Sequence, residues 1–188
     1  TYFVDKKEPY IIKSYTSNIE TKVIDSLYQT IKNESILKEK NIYKSNDFTK
    51  ERERIAVFLN NNGAYNFQLS NITYDAIFDN ENKTVDVVLK IGDQIINIED
   101  TITTKPHKIY KIEKINIYVD NEVIRNKSKI TDSISYNNYT IYSSKKIKYR
   151  PKAIANSIFF EKDDLYADHN KLQTTKSFSN LKIFKHPN

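Results

Sequence analysis

Near the start of the chain, apolar residues recur at helical spacing in two stretches. In NIETKVIDSLYQTIK, Asn18 to Lys32, the residues Val23, Ile24, Leu27, Tyr28 and Ile31 share one face, and Asn18 or Thr21 supplies the N-cap. A second helix is predicted to begin near SNDF. There Ser45, Asn46 and Asp47 offer capping oxygens, and Phe48, Ile55, Phe58 and Leu59 form the buried stripe. Glu51, Arg52, Glu53 and Arg54 lie between those positions and read as a solvated face with i,i+3 pairs. Gly63, in NNNGAYNF, follows the last periodic residue by a turn. A left-handed C-cap is needed there, and only glycine takes positive φ without a Cβ penalty.

Beyond the glycine the period changes to two. FQLSNITYDAIF, Phe67 to Phe78, places Ile72, Tyr74, Ala76 and Phe78 on one side, and DNEN supplies the turn into KTVDVVLKI. Upstream, PYIIKSYTSNI is β-rich and follows Pro9, which opens a further strand. Residues 9–92 therefore spell strand, helix, helix, strand, strand: a three-stranded sheet covered on one face by two helices, an α+β unit of ordinary domain size.

The pattern returns. KIYKIEKINIYV, Lys108 to Val119, has the same strand character, and Pro106 stands before it as Pro9 stands before the first strand. RPKAIANSIFF starts with Pro151, suited to a first helical position, and carries Ile154, Ile158 and Phe159 at helical spacing. Tyr43 to Ile55 spans twelve residues, as does Tyr166 to Phe178, and Phe58 and Leu181 each lie three further on. A second unit is expected over 107–188, after a linker at 93–106. It would carry an insertion from Asn121 to Arg150, and its closing hairpin would be missing. Residues 1–8 read as the remnant of a preceding unit's last strand. With no Met in the chain, the whole is expected to be a piece cut from a tandem array.

Composition narrows the function classes. Fourteen Tyr, nine Phe and abundant Ile argue for a folded chain, because disordered segments lack such residues. No cysteine is present, so disulfides and thiolate metal sites are excluded. His107, His169 and His186 stand at spacings that fit no metal site and read as exposed polar residues. SILK (Ser35 to Lys38) and SNLK (Ser179 to Lys182) match a Ser-x-x-Lys spacing, but no SDN or KTG accompanies them, so chance explains both. Five Asn-x-Ser/Thr sites, such as NIT at 71–73, would also allow an extracellular adhesion module, but they arise by chance in a chain so rich in Asn. Neither glycine belongs to a phosphate loop. No catalytic site and no cofactor is expected.

Charge is uneven. The net of +6 divides into −3 over residues 1–100 and +9 over residues 101–188. Lys145, Lys146, Lys148, Arg150 and Lys152 fall within eight residues, interleaved with Ile147 and Tyr149. They form either a solvated arm or a contact for anionic lipid headgroups or an acidic partner. The high pI and aromatic strands also fit a basic nucleic-acid-binding α+β module, against which stand the acidic first half and the lack of a ribonucleoprotein-type motif.

The stretches NNGAYNF, EPYIIKSY, KPHKIYKIEKI and YRPKAIANSIFFEKDDLYADHNKLQTTKSFSNLKIFK, in that order of strands and helices, resemble polypeptide-transport-associated (POTRA) domains. The likeness is in particular to the periplasmic part of TamA-like and BamA-like outer-membrane assembly proteins of Bacteroidota, including the lipoprotein form TamL, and it covers nearly the whole chain. One departure is that only the first copy has the helix-to-strand glycine; the second has KIFKHPN, with Pro187 after the helix. The resemblance implies tandem β-α-α-β-β units, each with a three-stranded mixed sheet and two helices, and a non-enzymatic scaffold in the periplasm. Attachment to the outer membrane would come through a C-terminal barrel not present in this chain. The implied partners are unfolded outer-membrane protein precursors or accessory assembly subunits, with membrane-surface contact by the basic second half. A sheet edge can capture such clients by β-augmentation, since unpaired N–H and C=O groups accept any extended peptide. The family analogy puts that edge at Leu69 to Phe78, with Ile72, Tyr74 and Ala76 as the contact residues. The alternative, that these side chains are core, stays open.

Overall fold

The structure, a computed structural model, describes residues 8–98, 101–120 and 129–181. These form two compact units. The first holds the residues up to 60 and 66–108, and the second holds 61–65 and the residues from 109 on.

The first unit is built on β1 (Ile11–Ile19), α1 (Lys22–Ile31), α2 (Ser45–Asn61), β2 (Ile72–Asp79) and β3 (Thr84–Ile91). β3 lies between the other two strands, parallel to β1 and antiparallel to β2. The period-two pattern of TVDVVLKI puts it there: Val85, Val87, Leu89 and Ile91 are all buried, while Asp86 and Lys90 turn to the other face. Burying each such side chain stabilises the fold by about 1.5–3 kcal/mol relative to leaving it exposed. On β2, Ile72↔Ile91, Tyr74↔Leu89 and Ala76↔Val87 share that inner face, and on β1 so do Ile12↔Val85 and Tyr15↔Val87.

Both helices form where the helical spacing places them, with changes in what they bury. α1 buries Ile24, Tyr28 and Ile31, an i, i+4, i+7 stripe, which leaves Val23 on its flank and 40% exposed. Thr21 is its N-cap, but the hydroxyl bonds elsewhere, donating to Asp93 Oδ1 at 2.6 Å and accepting from the His107 amide at 3.0 Å. α2 buries Phe48, Ile55, Ala56 and Leu59 together with Glu51, while Phe58 is half-buried. Residues 93–106, expected as a linker, carry an antiparallel pair, β4 (Gln94–Ile98) and β5 (Thr101–Lys105).

The second unit contains β6 (Ile115–Tyr118), β7 (Asp132–Tyr136), β8 (Tyr139–Ser143), α3 (Pro151–Ala155) and α4 (Asp168–Asn180). Its sheet also has three strands of mixed direction: β8 is central, parallel to β6 and antiparallel to β7. The molecule is thus α+β, with the same strand arrangement in both units. The element order differs, however. The first unit follows β-α-α-β-β, whereas the described residues of the second run β-β-β-α-α, because the stretch read as an insertion supplies the hairpin. Asn137, at φ 51, makes the tight turn between β7 and β8.

A backbone clasp recurs in both units. In the first, Ile11 and Ile42 form an isolated antiparallel bridge; Ile12 N–H donates to Asn41 O, Lys40 N–H to Ile12 O and Tyr43 N–H to Tyr10 O. In the second, Lys111 bridges Leu165; Ile112 N–H donates to Asp164 O, Asp163 N–H to Ile112 O and Tyr166 N–H to Tyr110 O. Lys40 and Asp163 both hold positive φ, 68 and 72. A third ring packs edge-on against both tyrosines of each clasp, Phe78 in one case and Tyr65 in the other. Both helices that follow begin two residues after the second tyrosine. Tyr10 therefore corresponds to Tyr110, which pairs Pro9 with Ile109 rather than with Pro106. The strand expected over 108–119 is realised only over Ile115–Tyr118, with 110–112 engaged in the clasp.

Candidate functional site

The two outer strands of the first sheet differ in what their free edges meet. The start of β1 is sealed by the clasp, where residues 40–43 bond to Tyr10 and Ile12, and its register with β3 is broken by an irregularity between Ile12 and Ser14. β2 pairs with β3 without a break over eight residues. At the strand's two ends Ile72 N–H donates to Leu69 O and the Glu81 and Asn82 amides donate to Asp79 Oδ1; between them, among the described residues, no backbone group other than those of β3 bonds to Thr73–Phe78. The strand has no proline and no lysine, two common guards of an exposed edge.

Side chains on β2 alternate. Ile72 is buried, and Tyr74 and Ala76 are partly buried against the core cluster of Ile12, Leu37, Phe48, Val85 and Val87. The three residues named from sequence as contacts therefore face the helical layer. Thr73, Asp75 and Ile77 lie on the open face, with Ile77 69% exposed. That face is polar: Lys90 Nζ is 2.5 Å from Asp75 Oδ2, and Ser14 donates to Asp86.

Behind Tyr74 sits a polar network that the charge pattern did not reveal. Glu51, expected on a solvated face, is completely buried, and Arg54 grips it through two bonds of 2.9 and 2.7 Å. The Ile36 amide donates to the same carboxylate at 3.0 Å. Burial alone would raise the Glu51 carboxyl, but the bonds from Arg54, Ile36 and Ser35 outweigh it and hold the group below the usual carboxylate range. Tyr28 donates to Tyr15 at 3.4 Å, and the Tyr74 hydroxyl is buried beside Tyr15. Burial raises all three phenols, Tyr15 and Tyr74 well above their ordinary range. An i,i+3 Glu/Arg spacing was the available signal, but a surface pair carries the same spacing.

Gly63 stands two residues past α2 with φ 90. A Cβ there would lie 2.6 Å from Ile109 Cγ2 and 3.2 Å from the Tyr110 carbonyl oxygen, so the backbone approaches closely as well as turning. The amide of Gly63 donates to Tyr166 O and its carbonyl accepts from Tyr110 N–H, both at 2.9 Å.

In the second unit, Lys145, Lys146, Lys148, Arg150 and Lys152 are exposed, while Ile147 and Tyr149 between them are half-buried. The histidines behave differently from one another. His107, read from sequence as exposed, is buried: its ring packs on Phe67 at 5.0 Å and Nε2 lies 3.1 Å from Gly92 O, so it serves as packing material. His169 is exposed beside Gln173, and His186 lies outside the described residues. Among the described residues no group of three or more His, Cys, Asp or Glu side chains could hold a metal ion, and no helix is long and apolar enough to cross a membrane.

No protein-family model and no curated protein matches the chain. Among solved structures, the crystal structure of Haemophilus influenzae BamA POTRA3-5 matches with a TM-score of 0.39 at 10% identity, over 98% of this chain and 91% of that one.

Proposed function

We propose that this chain is a periplasmic scaffold of an outer-membrane assembly or translocation factor, and that it binds extended segments of precursor polypeptides, or of accessory subunits, along β2. The observation that carries the reading is the open edge of β2 over Thr73–Phe78, on a strand whose pairing with β3 is unbroken, where the opposite edge begins under a clasp. A strand added there gains main-chain hydrogen bonds irrespective of its sequence, which suits a client recognised by its extended form. Side chains on the open face would set preference: Ile77 offers an apolar contact, beside an Asp75 already paired with Lys90. The inward Ile72, Tyr74 and Ala76 keep β2 straight and seated on the core, and so act as support for the edge.

The test is site-specific photocrosslinking of the chain to an unfolded barrel precursor. A probe at Ile77 is expected to capture the precursor, and a probe at the comparably exposed Val57 on α2 is not. Isotope-edited NMR with an amphipathic β peptide should perturb β2 amides first. Placing lysines at 73 and 77 should weaken capture by roughly tenfold or more, since charged side chains guard edges against pairing. Equal crosslinking from both probes, or binding unaffected by the two lysines, contradicts the reading.

A further inference from the structure

One end of the second sheet gathers features that β2 binding does not use. The C-terminal ends of β6 and β8 and the start of β7 lie together there, since Tyr118 pairs with Tyr142 and Asp132 with Ser143. The segment leaving β8 is fixed in shape by three backbone amides. Ser144 N–H donates to Asp120 Oδ2 at 2.8 Å, Lys145 N–H to Ser143 Oγ at 3.1 Å and Ile147 N–H to Asp132 Oδ2 at 2.8 Å. With Ile147 and Tyr149 turned partly inward, Lys146, Lys148, Arg150 and Lys152 project outward from an arm held in place. Apolar groups accompany them. Ile130 is 47% exposed beside Thr131, whose N–H donates to Ser143 O, and Tyr118 is 42% exposed at the end of β6.

We propose that this end of the sheet is a docking surface for a bilayer carrying anionic phospholipid headgroups. The charge is complementary: among the described residues Lys129, Lys146, Lys148, Arg150 and Lys152 outnumber the carboxylates Asp120 and Asp132, both of which accept backbone bonds from the arm. A polybasic cluster of this size is what an anionic leaflet attracts, and headgroup-level insertion of an aromatic and an aliphatic tip adds to it. The exposed isoleucine has an apolar counterpart in the acyl region just beneath the headgroups, which the phosphates and sugars of a nucleic acid do not offer. Single strands, in addition, need open rings to stack on, whereas Tyr118 and Tyr142 already stack on each other at 5.3 Å with 21° between their planes. The surface lies in the second unit and does not depend on what β2 binds.

The experiment is flotation of the chain with vesicles of phosphatidylcholine, with and without phosphatidylglycerol. Binding is expected only to the anionic vesicles, and it should fall as salt rises from about 0.1 M to about 0.5 M. Each basic residue near the surface is worth roughly fivefold in partitioning, so Lys146→Gln, Lys148→Gln and Arg150→Gln combined should lower it roughly a hundredfold. Ile130→Ser should weaken what remains at high salt. Unchanged melting by circular dichroism shows that these exposed substitutions leave the fold intact. Equal binding to both vesicle types, indifference to the triple substitution, or displacement from vesicles by a single-stranded oligonucleotide that binds more tightly overturns the proposal. Peptide capture at β2, measured on the same triple variant, should be unchanged.

Discussion

At the scale of single residues, two positions carry more than their neighbours. Glu51 is a carboxylate without solvent contact, held by Arg54 and the Ile36 amide. Removing one member of such a pair strands the other, so Glu51→Gln should destabilise the first unit by about 3 kcal/mol in urea denaturation. Because the folded carboxyl titrates below its unfolded range, this stabilisation is fully present above the ordinary carboxylate range and is lost as pH falls through the folded value. Glu51→Gln should therefore flatten the acid limb of the stability profile. Gly63 combines positive φ with a close approach to Ile109 Cγ2, a branch that cannot swing away, so Gly63→Ala should cost about 2–3 kcal/mol. Gly92 lacks positive φ, and a Cβ there would find only Glu20 Oε2 at 3.9 Å; Gly92→Ala should be near neutral in the same assay.

At the scale of elements, the clasp can be tested directly. Lys40 sits at φ 68, where a Cβ is strained and glycine is not; part of that relief is offset by the entropy glycine loses on folding. Lys40→Gly should raise stability by up to about 1 kcal/mol, and Asp163→Gly by less, since aspartate tolerates this region better; both are read from thermal melts. Much of the element pattern was legible. Period two wrote β2 and β3 plainly, helical spacing gave α1 and α2, and the glycine marked the close of α2. What escaped notice left no local trace. Parallel pairing of β6 with β8 joins segments whose sequences do not announce each other, so the hairpin in 132–143 looked like decoration on the sheet rather than part of it. The clasp at 110–112 leaves no local sign either, since its partner lies more than fifty residues away. A charged run carries no mark of which member points inward, which is why Glu51 reads as solvated; for Ile72, Tyr74 and Ala76 alternation identifies a shared face and leaves open what covers it, and the structure turns that face to the core cluster.

At the scale of the whole molecule, the two units are unequally cored. Ile12, Ile24, Ile55, Leu59, Val87 and Leu89 are among many fully buried side chains of the first, while among the described residues of the second only Ala64, Ile141, Ile154 and Ala155 make the buried apolar set. Native-state hydrogen exchange should show the amides of β8 opening at least tenfold faster than those of β3, with the second unit melting first. Equal protection of Ile141 and Val87 would contradict this. The twin clasps carry a further consequence for how the chain reaches its native state. Each is made of main-chain bonds that take no account of side-chain identity, so the strip at Tyr10–Ile12 is chemically able to accept the partner that belongs to Tyr110–Ile112. A polypeptide with two interchangeable fasteners risks fastening them crosswise, within one molecule or between two. Refolding yield should accordingly fall as concentration rises, with exchanged dimers as the by-product.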